Sequence, residues 1–115
     1  MQQKPPYSVW VTYLAYADKP DKGKVRPILI IPSPADTIAV LKITSSPPSD
    51  KWNDVAIEEW KKAGLLRESS VRCSHIFELT SGDLANAYEI GQLQLTDIEK
   101  VVAALRLEGF DSARD

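Results

Sequence analysis

The chain has 115 residues, 43% hydrophobic and 26% charged, with a formal net charge of −2. That length supports one compact core spanning residues 1–115 and excludes a second domain, while the charged fraction is that of a globular protein rather than a disordered one. No apolar run reaches the ~20 residues of a membrane helix, the N-terminus lacks an apolar secretory segment, and a lone cysteine, Cys73, excludes an internal disulfide framework and fits the reducing cytoplasm.

Residues 8–15, SVWVTYLA, are β-branched and aromatic and predict a first strand, its start set by Pro5 and Pro6. Residues 16–24 are polar, carry Pro20 and Gly23, and predict a long charged loop. Residues 25–31, VRPILII, predict a second strand whose four-residue apolar run is buried on both faces. Pro27 has no N–H for a ladder bond, so that strand should begin at an edge or a bulge. A third strand is expected over 37–44, closed by Ser45, Ser46, Pro47 and Pro48. A short strand at 55–57 and one or two helical turns at 58–63, stopped by Gly64, come next. Residues 71–79 alternate as a strand, and residues 81–86 read as a turn. Thr96 as N-cap, with Glu99 three positions on, predicts a capping box; Ile98, Val101, Val102 and Leu105 then recur at helical spacing up to Gly109. The tail from Asp111 is expected to fray. Five or so short strands and one terminal helix predict a mainly β fold, a small barrel or strongly bent sheet capped by a helix.

The chemistry-bearing residues are few. One histidine, one cysteine and scattered carboxylates give no metal-ligand spacing, and neither a Gly-rich phosphate loop nor a nucleophile elbow is present. Lys19, Lys22, Lys24 and Arg26 fall within eight positions, a basic patch on an acidic protein that suits a short RNA segment or, more blandly, a solvated loop. Adjacent strands could bring Arg26 and Thr44 to one rim, where a guanidinium would grip a phosphate and a hydroxyl would add a hydrogen bond to a non-bridging oxygen. By spacing alone the commoner reading is a surface pair for Arg26, an ordinary strand position for Thr44 and a half-buried, satisfied His75. Cys73, in a strand-like run, reads as a small buried thiol.

In order along the chain, the blocks Gly23-Lys-Val-Arg-Pro-Ile-Leu-Ile-Ile31, Leu41-Lys-Ile-Thr-Ser45, Trp60-Lys-Lys-Ala-Gly-Leu65 with Ser69-Ser-Val-Arg72, and Ile90-Gly-Gln-Leu93 resemble the PemK/MazF family of toxins. The resemblance runs from Tyr7 to Gly109 and implies an SH3-like barrel that pairs as a homodimer. It also implies a toxin of a type II toxin–antitoxin system, a cytoplasmic endoribonuclease that cleaves single-stranded RNA without metal or cofactor to a 2′,3′-cyclic phosphate. By resemblance Arg26 acts as general acid or base and stabilises the phosphorane, and Thr44 positions the scissile phosphate. Ser45, His75 and the loop lysines Lys19, Lys22 and Lys24 are then expected to contact RNA. The same loop would meet the cognate antitoxin, through which any contact with DNA would be indirect. Two blocks depart from the family pattern: Tyr7-Ser8 replaces Gly-Asp before the first strand, and Asp21-Lys-Gly-Lys24 replaces Gly-Ser-Glu-Gln in the loop. The competing expectation is a catalytically silent barrel of the same fold that acts by binding protein, as a gyrase poison does.

Overall fold

The β-branched and aromatic opening forms β1 (Ser8–Ala15), and the VRPILII run lies inside β2 (Gly23–Ile31). Next come β3 (Ile38–Thr44), β4 (Asp54–Ala56), β5 (Ser70–Leu79), β6 (Tyr88–Gln92) and the helix α1 (Leu95–Leu107). The computed structural model describes residues 5–15, 19, 21–34 and 37–109, so most of the predicted loop before Gly23 and the tail from Asp111 lie outside the described residues. Among the described residues the strands form one antiparallel sheet in the order β4-β5-β3-β2-β1-β6, curled into a half-barrel. No described helix is long and apolar enough to cross a membrane.

Burial follows the alternation. Val9, Leu29, Ile31, Leu41, Ile43, Val71 and Cys73 point to one face and join Leu93, Val101 and Leu105 in the main core. Leu14, Ile28, Ile30 and Val40 point to the other face and form a smaller cluster with Leu84 from the predicted turn at 81–86. The apolar run Ile28–Ile31 is thus buried on both faces, as its composition predicts. β3 pairs with β2 only from Ile28 to Ile31, so Pro27 sits where β2 is paired with β1 alone. Its missing N–H therefore has a place at a local edge inside the sheet.

Two differences from the sequence reading have physical causes. A sixth strand, β6, was not predicted. Its sequence YEIGQ is only five residues long and interrupted by Gly91, and its place beside β1 is set by pairing across a register shift between Val9 and Trp10. The capping box does not form: α1 begins at Leu95 with Gln94 as N-cap and no side-chain cap bond, which leaves Thr96 inside the first turn. The helical turns expected at residues 58–63 form as a run of turns, with the Ala63 N–H donating to the Glu59 carbonyl at 3.1 Å, and Gly64, at φ +88°, ends them as expected.

Those turns close the half-barrel. The chain leaves edge strand β4 and crosses to the opposite edge strand, β6, where Gly64 and Gly91 meet backbone to backbone. A Cβ on Gly91 would strike the Ala63 carbonyl, and one on Gly64 the Ile90 carbonyl. The start of the crossing is held by Asp97 of α1, a fully buried side chain. Its Oδ1 accepts from the Glu58 N–H at 2.9 Å and its Oδ2 from the Glu59 N–H at 3.0 Å. The carboxylate thus does at the head of the turn what a capping side chain does for a helix, using a residue 38 and 39 positions away. Asp97→Ala removes the charged acceptor of both amides and should cost about 3 kcal/mol. Urea unfolding should show a lower midpoint of about 1–2 M with the slope unchanged; an unshifted midpoint would mean the tie is dispensable.

Candidate functional site

Alternation also sorts the polar candidates. On β2, Lys24 and Arg26 fall in step with Ile28 and Ile30, on the face opposite the main core. On β3, Lys42 and Thr44 fall in step with Val40, on that same face. Ile28 pairs with Lys42, and continuing this register by two residues sets Arg26 level with Thr44. The two lie just beyond the last pair of the ladder, where β2 and β3 part, and both are half-buried. Thr12, across from Arg26 on β1, is buried beside them. The Ser46 N–H donates to Thr44 Oγ1 at 3.2 Å, which anchors the hydroxyl oxygen and leaves its own proton free to donate outward.

β5 completes the face. Lys42 pairs with Arg72 and Val40 with Phe77, with a register shift between. His75 and Phe77, alternate residues of β5, share a face with ring centroids 4.4 Å apart in an edge-on arrangement. The Lys42 ammonium stands 5.4 Å from the centroid of the same Phe77 ring, so His75 and Lys42 flank one aromatic. Arg72 is held differently. Its Nε donates to Asp54 Oδ1 at 3.0 Å and its Nη2 to Asp54 Oδ2 at 3.1 Å, a bidentate pair. Burial, then Arg26, then Arg72 push the Lys42 pKa below its ordinary value.

The sequence-predicted residues thus divide. Arg26, Thr44, Lys24 and His75 share one face. Ser45 follows β3, exposed, on the wall of a groove of ≈ 400 Å³ shared with Trp60, Glu68 and Ser70. Lys19 and Lys22 are exposed ahead of β2, joined by a backbone bond from the Lys22 N–H to the Lys19 carbonyl at 2.9 Å. Lys42 and Arg72 were missed. Each reads as a strand residue, but Lys42 breaks the apolar run of β3 on the Thr44 side, a signal available from alternation alone. No group of three or more His, Cys, Asp or Glu that could hold a metal occurs among the described residues.

The family model described as "PemK-like, MazF-like toxin of type II toxin-antitoxin system" matches residues 6–108. The chain belongs to this family. No curated protein matches it. Among solved structures it is similar to a MazE–MazF crystal structure from Deinococcus radiodurans, at TM-score 0.67 and 16% identity over 93% of this chain and 97% of that one. It is also similar to the Mycobacterium tuberculosis toxin MazF-mt6, at TM-score 0.65 and 18% identity over 89% of this chain and 95% of that one. At such identities the structures establish a shared fold.

In this PemK/MazF-family chain Cys73 is structural. The thiol is fully buried behind β5, contacts the Val71 carbonyl at 3.7 Å, and is pushed up to about 12 by burial and by Asp54 and Glu108. Iodoacetamide at pH 8 should label the folded protein at least a hundredfold more slowly than the urea-unfolded one. Stability should fall as pH rises from about 9 toward about 12, because only the unfolded thiol ionises in that window. Rapid labelling of the native state would contradict this burial.

Proposed function

We propose that the chain is the toxin of a type II toxin–antitoxin pair and cuts single-stranded RNA by metal-independent transesterification. The observation that carries this reading is Arg26 level with Thr44 on one sheet face, in a member of the PemK/MazF-like toxin family. In the reaction a ribose 2′-oxygen attacks the adjacent phosphorus. The P–O2′ bond forms and the P–O5′ bond breaks, leaving a 2′,3′-cyclic phosphate and a 5′-hydroxyl. The 2′ proton is lost and the 5′-oxygen gains one, so the step needs no redox partner. Negative charge builds on the non-bridging oxygens of the phosphorane, where a guanidinium is worth most. Arg26 supplies that cation. Thr44, its oxygen pinned by Ser46, donates its proton to one of the same oxygens. We assign His75, on the same face as Arg26, and Ser45, next to Thr44, to contacts with RNA on either side of the scissile bond.

The likeness to MazE–MazF complexes supports extending an antitoxin partner to this chain. We assign the exposed Lys19, Lys22 and Lys24 to an acidic antitoxin segment that competes with RNA, on a symmetric homodimer. Arg26→Ala should lower RNA cleavage at least a hundredfold, about 3 kcal/mol of transition-state stabilisation, with circular dichroism unchanged. Thr44→Ala, which removes one neutral hydrogen bond, should lose less. Cleavage should persist in EDTA. Near-wild-type cleavage by folded Arg26→Ala, or activity that requires added magnesium, would refute the mechanism.

A further inference from the structure

Lys42 sits where folding alone disfavours a cation. It pairs across β3 and β5 directly opposite Arg72, and like charges in that relation destabilise a ladder. On the β2 side it pairs with the apolar Ile28 and lies one step along the face from Arg26. Its ammonium contacts the face of Phe77, and it is half-buried. No carboxylate forms an ion pair with it among the described residues. Asp54, the acid in the same row of the sheet, has a fully buried side chain whose two oxygens accept from Arg72, with Oδ2 also accepting from the Ser49 N–H. A Met or Leu would pack against Phe77 and Ile28 without these costs. An ammonium without an ion pair, on a strand flanked by those of Arg26 and Arg72, is a site suited to an anion from outside the chain.

The anion's chemistry follows from the neighbours. Lys42 and Thr44 are alternate residues of one strand and so lie about 7 Å apart on the same face. A strand of RNA whose scissile phosphate rests on Arg26 and Thr44 presents its next phosphodiester along β3. The geometry points to Lys42 as a second phosphate-binding residue, holding the RNA phosphate that neighbours the scissile one. This rests on the endoribonuclease reading.

The test uses a single-stranded 2′-O-methyl oligoribonucleotide, which lacks the nucleophile and therefore binds without being cut. Binding is measured across a salt series for the wild type, Lys42→Met and Lys42→Arg, alongside urea unfolding of each. Lys42→Met should bind about tenfold more weakly at 0.1 M salt. Its slope of log K against log salt should fall by about 0.7, the loss of one phosphate contact on a single strand. The same variant should unfold at a higher urea concentration than the wild type, because its row has lost a like-charge pair. Lys42→Arg should keep the wild-type slope. A Lys42→Met protein with wild-type affinity and slope overturns the inference while leaving the endoribonuclease reading intact. A variant that loses stability and binding together assigns Lys42 a merely structural role and overturns it too. A wild type that neither binds nor cuts any RNA removes both readings.

Discussion

The fold turns on the buried carboxylate of Asp97. The six-stranded sheet has two free edges, β4 and β6, and a half-barrel stays closed only if something spans them. The span is the run of turns after β4. Turns of this kind leave N–H groups unpaired at their start. Asp97 answers two of them and, because it sits in the first turn of α1, fixes the helix to the span in the same contact. At the far end the absence of side chains on Gly64 and Gly91 lets the span meet β6. The helix then covers the main core through Val101 and Leu105.

Closure on one face frees the other. With its apolar residues committed to the main core and to the smaller cluster under Leu84, the sheet can carry polar side chains on the rest of its second face. There β2 and β3 separate beyond Ile28 and Lys42, so Arg26 and Thr44 face each other without a ladder between them. The charges on this face are unevenly matched. Arg72 has a buried acid, whereas Arg26 and Lys42 form no ion pair among the described residues. An ordinary surface disperses like charges or pairs them. Placing three cations on adjoining strands with one carboxylate between them is a cost to folding that an anionic ligand offsets.

Much of this was legible in the residues. β1, β2, β3 and β5 follow from β-branched runs bounded by proline, glycine and serine, because strand-forming side chains and chain breakers act locally. Arg26 and Thr44 could be placed on one rim because a strand's period of two is rigid. Lys42 was equally within reach of that period, yet a lysine in a strand resembles an exposed solubilising residue until its neighbours are known. The capping box shows the opposite failure. Thr96 and Glu99 match its pattern, but helix α1 starts two residues early and Asp97 is turned inward to serve another segment.

By itself, then, the amino-acid sequence determined the strand-rich class, the terminal helix, the apolar core positions and the family likeness carried by the Arg-Pro and Ile-Thr-Ser blocks. These depend on periodicity and on short blocks of adjacent residues. The tertiary structure alone decided that β6 is a strand, that Asp97 caps a turn 38 and 39 residues away, that Arg72 is neutralised by Asp54, and that Lys42 stands unpaired opposite it. Each depends on pairing between segments far apart in the chain. No local propensity encodes such pairings, because they are set by how the curled sheet closes on itself.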